Sequence, residues 1–345
     1  MTEPIDSASA ERPADRREFL KRGLATSALL ALADRVYAQQ RDDGGGLPMR
    51  PLGRSGAEVS ILSLGGYHIG LTAKQHGDPA AVRLMHRAAE NGLTFFDNCW
   101  DYHMGYSEEV MGKAIEDRRD QVFLMTKVCD RDYEGAKRQL DESLKRLRTD
   151  HIDLWQFHEM VYDNDPDWVF DKGAIRAARE AKQAGKVRHI GFTGHKDPSI
   201  HLKMLGKDEP WASAQMPINV CDYYFRSFLH NVAPACDEKG VGVIGMKSLG
   251  GGEIVRSGLI SAKDCLRFSL SQPVSTVVTG ITSEAELDQA LEVGRGFKPL
   301  GAAKQSALLA KVEEAAGDGR HELFKTTKRF DGSYHREQHG FATEG

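Results

Sequence analysis

From residue 59 to residue 281 the chain repeats one pattern eight times: a short β-rich run, a polar or glycine-rich loop, then an amphipathic stretch. The runs are 59–65, 94–98, 122–128, 152–158, 188–193, 212–219, 241–247 and 276–281. The intervening segments, among them 79–91, 134–148, 174–184 and 283–293, place apolar residues at helical spacing, and Gly92, Gly185 and Gly240 stand where helices should stop. Strand and helix in alternation imply parallel strands joined by crossover helices. Eight such units favour an α/β fold closed as a (β/α)₈ TIM barrel over an open sheet. The chain's 345 residues suffice, since a barrel of this kind needs ~250. No G-x-G-x-x-G follows an early strand, so a Rossmann domain is not expected. The barrel is predicted over 51–300 and a C-terminal helix and tail over 301–345.

With 40% hydrophobic residues the composition suits a globular protein. A net charge of −4 without a basic stripe gives no reason to expect nucleic acid as a partner. No apolar run is long enough to span a membrane. The five cysteines, Cys99, Cys129, Cys221, Cys236 and Cys265, form no C-x-x-C pair, which argues against a zinc ribbon, a thioredoxin-type motif or a compact iron–sulfur site. They read as buried free thiols, and no metal is expected.

The first 38 residues read as an address. Asp15-Arg16-Arg17-Glu18-Phe19-Leu20-Lys21 precedes a short, weakly apolar segment, and Val36-Tyr37-Ala38 offers small or modest residues to signal peptidase. A twin-arginine (Tat) signal over 1–38, cleavage after Ala38, a linker over 39–50, the Tat export machinery as partner and a periplasmic destination follow. The segment carries six basic and six acidic residues, so its removal leaves the charge at −4. The alternative is an amphipathic helix that stays attached.

The functional face of a barrel lies at the C-terminal ends of its strands. There Asp97, Lys127 and His158 each close an apolar strand, and Tyr102 follows in the loop after Asp97. A lysine at an apolar mouth needs a carboxylate partner, which Asp97 supplies. A tyrosine phenol titrates near ~10, and a neighbouring ammonium is expected to lower that value. Tyr102 would then exchange a proton with a carbonyl or alcohol oxygen, His158 donating a hydrogen bond to the same oxygen.

The segment 96–102, Phe96-Asp97-Asn98-Cys99-Trp100-Asp101-Tyr102, followed by Ser107-Glu108, resembles the aldo/keto reductase signature. The stretch 185–193 resembles the family's run before its nicotinamide-contacting strand end. The likeness covers roughly residues 50–295. It implies a barrel without a Rossmann domain, an NAD(P)(H) cofactor, and a catalytic tetrad of Asp97, Tyr102, Lys127 and His158. It further implies that Thr193 and Gln215 hold the carboxamide. Gly194 stands where the family commonly has an asparagine, with His195 as a possible substitute, and Met246 stands where an aromatic usually stacks on the ring.

Lys247, Ser248 and Gly250 to Gly252 suit a pyrophosphate. Gly280 and Thr282 open a helix whose N-terminal N–H groups suit an anion. Relatives that use NADP carry basic residues around this helix start. Here Glu284 and Glu286 occupy it, which leans the reading toward NAD(H). Tyr67, His68, Trp100 and Tyr223 are expected to rim a pocket for an aldehyde, ketone or sugar. His321, His335 and His339 lack tight ligand spacing and read as solvated, and the tail either folds over the mouth or binds a partner. The function expected is carbonyl–alcohol oxidoreduction on a small molecule. The alternative is a nicotinamide-binding accessory subunit with little turnover.

Overall fold

The computed structural model describes residues 16–42 and 46–343, the side chains of 16–26 excepted. Eight strands, β3 (Leu62–Gly65), β4 (Phe95–Asp97), β5 (Phe123–Val128), β6 (Ile152–Phe157), β7 (Val187–Thr193), β8 (Ser213–Pro217), β9 (Gly242–Met246) and β10 (Thr276–Thr279), form a closed barrel in sequence order, β10 pairing back to β3. Every pairing within it is parallel. The (β/α)₈ expectation holds, and each predicted strand overlaps an observed one.

The first predicted run is the exception to one run, one strand. Residues 59–65 split into β2 (Glu58–Ser60) and β3, and β2 pairs antiparallel with β1 (Met49–Pro51). Ser60 explains the break. Its hydroxyl donates to Leu62 O and accepts from the N–H groups of Thr94 and Phe95, so a side chain takes the place of a ladder rung there. The hairpin closes the floor of the barrel. Leu52 and Val59 join Phe95, Met125, Leu154 and Ile244 in one buried cluster inside it. Residues 49 and 50, placed in the linker by sequence, are thus part of this hairpin, and Arg41 bridges to Met49.

Strand side chains alternate inward and outward. Phe95 faces the inner cluster, whereas Phe96 belongs to the outer core that the helices cover. The same parity carries Asp97, Lys127 and Gln215 inward above the hydrophobic plug. Helix starts are capped as their sequences suggest: Asp132 accepts from Gly135 N and Ser283 accepts from Glu286 N. Gly240 ends the helix Ala233–Lys239 at φ +70°.

A helix over Arg16–Ala38 precedes the barrel. Leu29 and Leu32 are buried, and Arg35 pairs with Asp237. The side chains of the twin arginines, Arg16 and Arg17, and everything before residue 16 lie outside the described residues. Among those described, no helix is long and apolar enough to cross a membrane.

The tail folds back over the mouth. Lys325, wholly buried, pairs with Asp222 at 2.7 Å and Glu322 at 2.9 Å. Lys196 holds Asp331, Gly332 N donates to Glu159, and Tyr334 donates to Asp130. His335 and His339 are not solvated as expected: their Nε2 atoms lie 3.1 and 3.0 Å from the two oxygens of buried Asp165. Burial alone would raise the Asp165 carboxyl. Arg131 and the two imidazoles hold it far below the usual carboxylate range.

Candidate active site

Three neighbouring strand ends and the loop after β4 bring the tetrad together. Lys127 Nζ donates to Asp97 Oδ1 at 2.6 Å, to Asn98 O at 2.6 Å and to Tyr102 Oη at 3.4 Å. The ammonium also lies 4.8 Å from the Tyr102 ring centroid. The His158 ring meets that of Tyr102 edge-on at 5.8 Å. The Lys127–Asp97 pair is almost wholly buried, so its geometry must be well satisfied to persist.

The expected acidification of Tyr102 is reversed. Burial and then the Asp97 carboxylate push the phenol well above its ordinary value. Lys127 is already bonded to Asp97 and Asn98 O, and its charge does not outweigh them. Tyr102 is therefore a protonated phenol at neutral pH. Burial opposes charge on His158, but Cys99 and Glu159 more than offset it and raise the imidazole.

His158 turns Nδ1 toward two thiols, with Cys99 Sγ at 3.2 Å and Cys129 Sγ at 3.6 Å. All five cysteines are free and buried, as expected. The convergence of two of them on a tetrad member had a faint trace in the sequence: each stands two residues beyond a charged strand-end residue, Asp97 or Lys127.

The cofactor candidates divide. Gln215 Nε2 donates to Asp97 Oδ2 at 2.9 Å, and its buried Oε1 lacks a donor. Thr193 is buried at the end of β7, and Met246 is half-buried at the end of β9. Buried His195 donates from Nδ1 to Phe324 O of the tail, and its Nε2 lies 3.9 Å from Glu159 Oε1, beyond hydrogen-bond distance. Lys247 adopts φ +55° and points its ammonium at the Phe330 ring, 4.7 Å from the centroid. Ser248 is buried, and a Cβ on Gly250 would meet His321 O at 2.8 Å, so the tail lies directly on this loop.

Gly280 sits under the His68 ring, which a Cβ would strike at 2.5 Å. At the helix start, the expected free N–H is taken: Thr282 N and Oγ1 both donate to Glu286 Oε2 at 2.7 Å. The residue that sequence reasoning missed there is Arg87, from the helix Asp78–Glu90, which pairs with Glu284 and Asp288.

Of the predicted rim, Tyr67 lies edge-on to Tyr102 at 5.7 Å and stacks on His103 at 4.6 Å. His68 is adjacent to Tyr67 at 5.8 Å. Trp100 donates to Glu142 and meets Tyr334 of the tail at 5.2 Å. The Tyr223 ring meets those of Tyr224 at 5.2 Å and His230 at 4.4 Å and packs against the apolar core.

Residues 61–263 match the sequence model of the Aldo/keto reductase family. An L-galactose dehydrogenase of Arabidopsis thaliana is 27% identical over 305 residues, covering 77% of this chain and 93% of its own. A 6-dehydroglucose reductase of Novosphingobium aromaticivorans is 29% identical over 161 residues, covering 42% of this chain and 50% of its own. Among solved structures, the holo form of an aldo-keto reductase from Bacillus halodurans superposes with a TM-score of 0.67 at 24% identity, covering 79% of this chain and 99% of that one.

Proposed function

Because the chain belongs to the aldo/keto reductase family, we propose that it interconverts a carbonyl and an alcohol with an NAD(P)(H) cofactor, Tyr102 handling the proton. The observation that carries this reading is the buried relay Asp97–Lys127–Tyr102, with links of 2.6 and 3.4 Å. Asp97 fixes the ammonium, the ammonium orients the phenolic oxygen, and the protonated phenol donates to a carbonyl oxygen. His158 adds a second donor to that oxygen.

The cofactor fits one feature of the site closely. Gln215 Oε1 is an orphaned buried acceptor, and a carboxamide N–H satisfies it at no desolvation cost beyond that already incurred. Gln215 and Thr193 would hold the carboxamide and Met246 the ring face. Lys247, Ser248 and Gly250 would hold the pyrophosphate, with Gly280 and Thr282 beside it. A nicotinamide bound there supplies or accepts the hydride. The Glu286 carboxylate at Thr282 N disfavours a second anion, which supports NAD(H) over NADP(H).

The aromatic rim of Tyr67, His68 and Trp100, together with the two sugar-active relatives, supports a sugar-like carbonyl or alcohol as substrate. The sequence of residues 15–38 supports export by the twin-arginine route to the periplasm. Titration of the purified protein with NADH and NADPH, read by quenching of Trp100 and Trp155, tests the proposal. Saturable binding, tighter for NADH, with turnover of an aldose or ketose panel, is the expected result. Absence of binding by either nucleotide, with none carried through purification, overturns it.

A further inference from the structure

Cys99, Cys129 and His158 extend beyond the inward faces of three consecutive barrel strands, β4, β5 and β6. Their donor atoms form a triangle: Cys99 Sγ to Cys129 Sγ 3.8 Å, Cys129 Sγ to His158 Nδ1 3.6 Å, and Cys99 Sγ to His158 Nδ1 3.2 Å. Zinc in a tetrahedral site has Zn–S ~2.3 Å and Zn–N ~2.0–2.1 Å, which sets S···S at ~3.8 Å and S···N at ~3.5–3.6 Å. Two of the three edges match that tetrahedron, and the third, at 3.2 Å, reaches it by lengthening a few tenths of an ångström.

From this triangle we infer that Cys99, Cys129 and His158 bind a zinc ion at the barrel mouth, through two thiolates and Nδ1. Four further observations fit. The backbone around Cys129 is held rigid, the N–H groups of Cys129 and Asp130 both donating to buried Gln139 Oε1. The hydrogen bond from His158 N to Val128 O locks the histidine in register beside the same loop. Asp101, two residues beyond Cys99, is half-buried and makes no side-chain hydrogen bond or ion pair among the described residues. Two thiolates neutralise a divalent ion, so the site adds no net charge next to Lys127, whose own partner is Asp97.

Two cysteines and one histidine are a soft, three-ligand set that selects zinc over the hard divalent ions. Three protein ligands leave a fourth position for water or a substrate oxygen. On binding, each thiol loses its proton to solvent as its Zn–S bond forms, and no electron is transferred. Coordination through Nδ1 leaves the imidazole proton on Nε2, which fixes the tautomer that donates a hydrogen bond. The site stands or falls independently of whether Tyr102 turns over a substrate.

The test is spectroscopic and needs no substrate. Metal-stripped full-length protein is titrated with Co²⁺ under reducing conditions, and zinc is measured in protein as isolated. One equivalent of Co²⁺ should give a thiolate-to-cobalt charge-transfer band that zinc abolishes. The band should be lost in Cys99→Ser and Cys129→Ser and kept in Cys265→Ser, whose thiol is buried elsewhere. X-ray absorption at the zinc edge of the unmutated protein gives the second measurement, with two sulfur neighbours expected. No charge-transfer band from protein whose thiols are all titratable after denaturation overturns the inference. So do a band that survives both serine variants, fewer than two sulfur neighbours, or an intact mass two hydrogens light without bound metal, which marks a Cys99–Cys129 disulfide instead.

Discussion

Replacing Lys127 by Met isolates the energetics of the relay. The Lys127–Asp97 pair is buried at both ends, with side-chain exposures of 1% and 3%. Removing the ammonium leaves a carboxylate in the barrel with one donor, Gln215 Nε2 at 2.9 Å, and strips Asn98 O of its donor. Breaking a buried pair by deleting one partner costs about 3–5 kcal/mol. The surviving bond from Gln215 offsets part of this, so a loss of about 3 kcal/mol is expected. The double variant Asp97→Asn/Lys127→Met removes the stranded charge and should recover at least half of the loss. Urea unfolding followed both by tryptophan fluorescence and by far-ultraviolet circular dichroism measures it, provided the two transitions coincide. A loss under about 1 kcal/mol, or a double variant no more stable than the single, would refute the reasoning, since it would mean that Asp97 finds solvent or another cation.

Two further outcomes follow from the electrostatics. Burial raises the Glu108 carboxyl to about 7, against the hydrogen bonds of Thr126 and Ser143 and the charge of Arg146. An acid raised in the folded state binds more protons there than in the unfolded chain, so stability falls as pH rises from about 4.5 to 7, by roughly 3 kcal/mol. Glu108→Gln should flatten that slope in urea titrations at successive pH values, and an unchanged slope would assign it to other groups. At the last barrel helix, Glu286→Gln removes the carboxylate bonded to Thr282. The ratio of NADPH to NADH affinity should then rise up to about fivefold, and a constant ratio would place the 2′-phosphate elsewhere.

The tetrad was legible because a parallel barrel converts sequence into position. Asp97 ends β4, Lys127 is the last residue but one of β5, His158 directly follows β6, and the strand period turns them to the same side. The split at Ser60 was not legible, since Val59, Ile61 and Leu62 read as one apolar run and the break depends on a hydroxyl that bonds Thr94 and Phe95 across the fold. The tail was hidden for a similar reason. Lys325 looks like a solvated cation until Asp222, 103 residues away, is placed against it. His335 and His339 find Asp165 only across sequence separations of 170 and 174. The direction of the Tyr102 shift is not legible either, because a sequence shows the ammonium nearby but not the burial and carboxylate that outweigh it.

The most direct test of the central claim is the substitution Tyr102→Phe, assayed for turnover and, separately, for binding of NADH. The phenol hydroxyl is the proposed proton donor, and its loss leaves the ring packed against Tyr67 and His158. In this variant kcat should fall by about 10²–10⁴-fold while the affinity for NADH stays essentially unchanged. A variant that keeps its turnover would contradict that role for Tyr102, because the proton would then come from another group.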